Sequence, residues 1–372
     1  MVLRSPLYDL QKELGGKFTE FAGFEMPIQY SSIKDEHLSV RKTVGLFDVS
    51  HMSNLWITGK DAEELVSFTT VEDASRIADQ KSQYTAILRQ DGTVIDDTIF
   101  MHLGDKYMMI PNAGMSKIVT DWLNKVAEEN DICAQAEDVS RDYVILAIQG
   151  PDSRKTLQKL TDIDLNEVKF FGCQYIDING VNCIISHTGY TGELGYELQI
   201  SPVGKAESLF KNIMDAGKEY DIKPIGLGAR DTLRLEKCFI LAGNEFAGGR
   251  TPLEALMSWT INWDHDFIGK QALLKQKEKG GYEKITYLVC KEKGIPRHGC
   301  IVQKDGKKVG KVSSGTMSPC LNQGIAIAYV HPDYREVGDT VDIIIRERPV
   351  KAEIVKPPFV PKDWLETQVA NV

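Results

Sequence analysis

The chain has 372 residues, 42% of them hydrophobic and 26% charged, with a formal net charge of −9. That is the composition of an ordinary globular protein with ample core, and its acidity, with no Lys/Arg-rich run, argues against a nucleic-acid partner. No apolar stretch approaches the roughly 20 residues that span a bilayer, and "MVLRSPLYDLQKELGG" lacks a signal-peptide core, so a cytoplasmic protein with no membrane association is expected.

Residues 34–43, "KDEHLSVRKT", read as an amphipathic helix with acids first and bases last, as the helix dipole prefers. "VGLFDVSHMSNLWITG" reads as strands, and residues 60–68 as a short helix. Asp91-Gly92 is a tight-turn signal between "YTAILRQ" and "TVIDDTIFM". A helix near 115–129 carries Ile118, Trp122, Leu123 and Val126 at core spacing. "DYVILAIQG" is a buried strand, and Pro151 begins the next helix. A second hairpin turns at Asn179-Gly180, and a helix follows near 203–217. The charged "LLKQKEKGGYEK" reads as a linker, with a boundary near 280. Beyond it, short strand-like runs and an Asp305-Gly306 hairpin predict a small antiparallel barrel or sandwich.

The chemistry is concentrated in two segments. In "TVIDDTIFM" neighbouring side chains point to opposite faces of a strand. Asp96 and Asp97 therefore form no same-face dyad. Asp97 shares its face with Ile95, Ile99 and Met101, and a carboxylate there is paired, protonated or used, unless the strand is an edge open to water. In "HTGYTGELGYE", Gly189, Gly192 and Gly195 allow a tight backbone or close approach of a ligand. Glu197 either faces solvent or lines a polar cavity. Seven cysteines without CxxC spacing signal neither disulfides nor zinc, and reduced thiols fit. The scattered histidines show no metal spacing; for His51, His187 and His298 a hydrogen-bonded structural role is expected. "GLGARD" lacks the third glycine of a dinucleotide fingerprint. No phosphate loop or nucleophile elbow occurs.

The segments "FAGFEMPIQY", "VGLFDVSHM", "TVIDDTI", "IQGPDS", "TGYTGELGYEL", "GLGARDTLRLE", "DFIGKQAL" and "PPFVPKDW" run almost end to end. In that order they resemble the aminomethyltransferase family, the T-protein of the glycine cleavage system. The resemblance implies an α+β, three-lobed ring: two intertwined α/β lobes over residues 1–280 and a C-terminal antiparallel barrel-like lobe over 281–372, around a central folate pocket. It implies transfer of the one-carbon unit from the aminomethylated, lipoylated H-protein to tetrahydrofolate, with release of ammonia and no metal. Asp97 matches the family's catalytic acid. Glu197 matches the contact to the pterin's amino-pyrimidine edge, and Arg230 a basic folate contact. Tyr84, Asn112 and Tyr190 match pocket-lining positions, and Trp364 an aromatic against the folate tail. A monomer is expected, and Asp96→Asn is expected to be mild.

The chain departs from the family pattern at "HMSN", at Glu245 and at Pro111, away from Asp97, Glu197 and Arg230. Two other activities share the implied fold. One is a tetrahydrofolate-dependent O- or S-demethylase, which the full "IDD" and "GYTGELGYE" segments disfavour. The other is a non-enzymatic folate-binding factor for iron–sulfur assembly, whose cysteine motif near "GARD" is missing here.

Overall fold

The chain enters a six-stranded sheet at Gly45–Asp48, leaves it to build a second sheet, and returns at Val144–Gln149. The computed structural model describes residues 2–362. The six-stranded sheet runs in the order Cys173–Ile178, Val181–Ser186, Gly195–Ile200, Val144–Gln149, Gly45–Asp48, Lys223–Ile225. Its neighbours are antiparallel except Lys223–Ile225, which lies parallel to Gly45–Asp48. The five-stranded sheet built during the excursion runs Ser82–Leu88, Val94–Leu103, Lys106–Ile110, Leu55–Thr58, Gln135–Asp138. Its insertion within the first sheet's strand order is what intertwines the two α/β lobes.

Residues 284–355 close into an antiparallel barrel, ordered Lys284–Cys290, Gln323–Val330, Lys307–Ser318, Ile301–Lys304, Thr340–Ile345, Arg348–Val355. Strand Gln323–Val330 is apolar on both faces for a physical reason. Ala326, Ala328 and Val330 fill the barrel interior. Ile325, Ile327 and Tyr329 point outward into a core shared with Leu235, Phe246 and Leu253. A barrel strand buried on both faces loses the usual alternation.

The helix at 34–43 is present as Ile33–Lys42, and the Ser32 side chain accepts from the Asp35 N–H at its start, at 3.1 Å. The turns at Asn179-Gly180 and Asp305-Gly306 form as expected, all four residues at positive φ. Three local expectations change. Helix Ser116–Glu129 buries Val119, Leu123 and Val126, and leaves Ile118 50% exposed. Leu123 and Val126 are buried as expected and Trp122 packs against the core, while Val119 takes the place expected of Ile118. The charged "LLKQKEKGGYEK" is a connection only at its end: Lys270–Lys279 is helical and buries Leu273, and residues 280–283 lead into barrel strand Lys284–Cys290. The Asp91-Gly92 hairpin forms as expected, closed by Arg89 N–H to Thr93 O at 2.9 Å and by the Asp91 carboxylate accepting from the Thr93 N–H at 3.0 Å. Pro151 lies just outside helix Ser153–Gln158.

A buried polar knot holds these parts together. Arg41 of helix Ile33–Lys42 donates to Glu236 Oε2 at 3.0 and 3.2 Å, to Glu193 at 2.8 Å, and to the carbonyls of Thr191 and Leu233. His37 Nε2 lies 2.9 Å from the same Glu236 oxygen. The other Glu236 oxygen accepts from Ser318 Oγ and the Cys320 N–H in a barrel loop. Burial alone would raise the Glu236 carboxyl. The His37 hydrogen bond, the Arg41 charge and the Ser318 hydroxyl outweigh it and bring the group down to about 2.

The glycine-rich loop is shaped by a second buried residue, Gln149. A Cβ on Gly189 would lie 2.0 Å from Gln149 Oε1, and one on Gly195 would lie 2.3 Å from its Nε2. Gln149 donates to Thr188 O and accepts from Thr191 Oγ1. The close approach that these two glycines permit is to Gln149 of the chain itself.

Glu236→Ala should destabilise the protein by about 3–5 kcal/mol at pH 7, because it leaves Arg41 buried without its carboxylate. Urea unfolding measures this. The folded-state pKa of Glu236 is depressed, so its contribution is complete above the unfolded value and is lost as pH falls toward about 2. The stability gap to Glu236→Gln should therefore shrink from pH 6 to pH 3. Gly189→Ala should lower stability by roughly 1–3 kcal/mol through overpacking. Adding Gln149→Ala should relieve part of that loss, and additive thermal shifts would show that the clash is elsewhere.

Candidate active site

A cavity of about 1350 Å³ opens where the two sheets and the barrel meet. Ligand pockets usually measure roughly 300–1,000 Å³, so this one has room for more than a single compact ligand. The five-stranded sheet contributes Tyr84 and Asp97, the six-stranded sheet Glu197, helix Leu227–Glu236 contributes Arg230, and the barrel contributes Thr316 to Pro319.

Asp97 lies on an internal strand, not an edge. Val94–Leu103 is paired on both sides, with Ala86 opposite Asp97. Its carboxylate is buried yet lines the cavity. Tyr84 Oη donates to Oδ2 at 2.7 Å, and Asn112 Nδ2 donates to Oδ1 at 3.1 Å. Burial raises the Asp97 carboxyl above its ordinary range, and these hydrogen bonds hold the rise down.

Asp96 faces away from the cavity, as strand alternation requires, but it is no exposed bystander. It is fully buried and accepts from both the backbone N–H and Nδ2 of Asn112, at 2.9 Å each. Burial and then the charge of Asp97 raise it. One asparagine amide therefore ties two carboxylates on opposite faces of one strand, and it also donates to Asp97 O at 2.7 Å. Asp96→Asn therefore alters a buried pairing rather than an exposed charge.

Glu197 lines the cavity rather than facing solvent. Thr188 Oγ1 donates to its Oε2 at 2.5 Å, and Ser186 is bonded to Thr188 in turn. Arg230 lies 4.6 Å over the ring of Tyr190, and the Tyr190 hydroxyl donates to Ile240 O. Among the described residues Arg230 has no carboxylate partner, and burial lowers its pKa. A half-buried guanidinium with its fork free is a ready site for an anion or carbonyl. Trp364 lies outside the described residues.

Sequence reasoning missed several residues of the site. Trp259 stacks on Tyr84 at 5.9 Å between centroids and stands 70% exposed. "MSWTINW" offers no periodicity to flag it. Glu245, one of the departures from the family pattern, does not line the cavity: it is fully buried, accepts from the Leu241 N–H at 2.8 Å, lies 3.5 Å from Arg234, and adds to the upward pressure on Asp97. His187 and His298 have the expected structural hydrogen bonds, to Val168 O and Ser313 O. His51 does not: its ring lines the cavity, and its buried Nδ1 has no partner. No helix among the described residues is long and apolar enough to cross a membrane.

Residues 7–265 match the GCVT N-terminal domain, and residues 284–361 match the glycine cleavage T-protein C-terminal barrel domain. The aminomethyltransferase of Halothermothrix orenii is 42% identical over 96% of this chain and 99% of its own length. That of Thermosipho melanesiensis is 41% identical over 95% of this chain and 96% of its own. The crystal structure of glycine cleavage system aminomethyltransferase T from Bartonella henselae superposes with a TM-score of 0.90 at 29% identity, covering 97% of this chain and 98% of that one. With its interleaved lobes, its closed barrel and both family domains in place, the chain belongs to the aminomethyltransferase family.

Proposed function

We propose that this protein moves the one-carbon unit of an S-aminomethyl-dihydrolipoyl arm, carried by the lipoylated H-protein, to tetrahydrofolate. Ammonia is released, 5,10-methylenetetrahydrofolate is formed, and the carrier keeps the free dihydrolipoyl arm. The observation that carries this reading is the Asp97 carboxylate, aimed into a large cavity and held by two neutral donors, Tyr84 and Asn112. The cavity's size suits two substrates meeting in one chamber, and holding them together is worth on the order of 7–11 kcal/mol. Its exposed aromatic rim, with Trp259 at 70% and Phe170 at 72% exposure, suits an aliphatic arm entering from a carrier.

Tetrahydrofolate supplies the ring nitrogen that accepts the carbon. Asp97 accepts a hydrogen bond from that nitrogen, orients it, and stabilises positive charge that develops as the amine departs. Tyr84 and Asn112 fix the carboxylate, since both donate to it and neither carries charge. Glu197, oriented by Thr188, accepts from the two adjacent N–H groups of the aminopyrimidine edge. Arg230 takes a carbonyl or carboxylate, and Tyr190 lines the ring's place. The site fits the co-substrate in chemistry: an acceptor pair at Glu197 and, at Arg230, a cation without a salt-bridge partner among the described residues. We read the protein as a cytoplasmic monomer that docks its carrier transiently, with a folate-binding region over 1–280 and a barrel region over 281–372.

Purified protein mixed with aminomethylated H-protein and tetrahydrofolate should release ammonia only when both are present. Tight folate binding without release would point to a different one-carbon donor. Asp97→Asn should lower kcat by about 10²–10⁴-fold while leaving the tetrahydrofolate Kd nearly unchanged; equal loss of both would make Asp97 a binding residue only. Because burial raises its pKa, the acid limb of kcat should lie above the ordinary carboxylate range, and it should vanish in Asp97→Asn. Glu197→Ala should mainly weaken folate binding, and an unchanged Kd would remove it from the pterin edge. Asp96→Asn should cost about 1–3 kcal/mol of stability through the disturbed Asn112 pairing and reduce kcat less than Asp97→Asn does.

A further inference from the structure

His51 is buried, edge-on to Phe21 at 5.6 Å between ring centroids and 87° between planes. Among the described residues neither ring nitrogen is hydrogen-bonded, and Nδ1 is sealed from solvent. A buried N–H without an acceptor is rarer and costlier than a lone pair without a donor. The ring proton therefore belongs on Nε2, the nitrogen left open to the cavity that His51 lines. Burial and then the charge of Arg230 hold the ring down to about 3, which keeps it neutral.

The wall of the cavity thus presents one acceptor and two donors. Glu197 accepts, while Arg230 and His51 donate. Glu197 is close enough to act on the Arg230 charge, and Arg230 on His51. A flat ring edge that carries both adjacent N–H donors and a carbonyl oxygen complements such a set. We propose that His51 Nε2–H donates to the 4-oxo group of a reduced pterin, so that His51 selects a 4-oxo ring over a 4-amino ring. This rests on the pterin assignment given above. A neutral imidazole is suited to the task, since it supplies a directed donor without placing a second cation beside Arg230.

The test compares tetrahydrofolate with its 4-amino counterpart, titrated by calorimetry into wild type, His51→Leu and His51→Gln. The quantity read is the Kd of the 4-amino ligand divided by that of tetrahydrofolate. In His51→Leu this ratio should fall about tenfold, because the donor that favours oxygen and opposes an amino group is gone. His51→Gln, whose amide turns to donate or accept, should keep its affinity for tetrahydrofolate and bind the 4-amino ligand more tightly. A ratio unchanged in His51→Leu, or both ligands weakened equally, overturns the role of His51 and leaves the pterin reading standing. A wild-type ratio in His51→Gln overturns it even where the leucine variant fails to fold. Wild type that binds neither ligand overturns the pterin reading and this inference together.

Discussion

The buried ion pair between Arg41 and Glu236 is the contact on which the geometry of the site depends. Arg41 reaches from helix Ile33–Lys42 to the end of helix Leu227–Glu236, which carries Arg230, and to the carbonyl of Thr191 beside Tyr190. Glu236 reaches on to the barrel loop through Ser318 and Cys320. One carboxylate thus fixes a helix, a loop and a barrel that all line the cavity. The net gain from such a pair is small, because desolvating two charges costs nearly what their attraction returns. Its use is registry: any shift of one element strands a buried charge.

His37, Glu236 and Cys320 also place ligand-type atoms within 4.8 Å of one another. The arrangement is better described as part of the knot. Glu236 Oε2 is already shared by Arg41 and His37, so its charge is answered by a fixed guanidinium. The thiol of Cys320 is pushed up by burial and then by the Glu236 charge, which favours the protonated form.

The cavity itself works by contrast of charge. Asp97 is a carboxylate held only by neutral donors, whereas Arg230 is a cation with no carboxylate partner among the described residues. Such groups are expensive to bury, and they persist where a ligand completes them. Asn112 shows how tightly this is built. It bonds to both aspartates of the pair, so the acid that faces the cavity and the acid that faces away are positioned by one side chain. The strand-face assignment holds, and through that coupling Asp96 is tied to the position of Asp97 although it faces away from the cavity.

Much of this was legible from residues alone. The hairpins at Asn179-Gly180 and Asp305-Gly306 follow from positive φ at small or turn-forming residues. Strand alternation isolated Asp97, because its face is otherwise apolar. The same local rules failed where a second body decides the outcome. The phase of helix Ser116–Glu129 is set by what it packs on, and the helicity of Lys270–Lys279 by burial of Leu273. Arg41 and Glu236 stand 195 residues apart, and Asn54 and Gln199 pair across 145. The sequence by itself determined the local periods, the turns and the residue types able to do the chemistry, because those depend on neighbours within a few positions. Only the tertiary structure decided that Gly189 and Gly195 close on Gln149, that His51 opens to the cavity, and that Asp97 is buried, because each depends on which distant surface excludes water there.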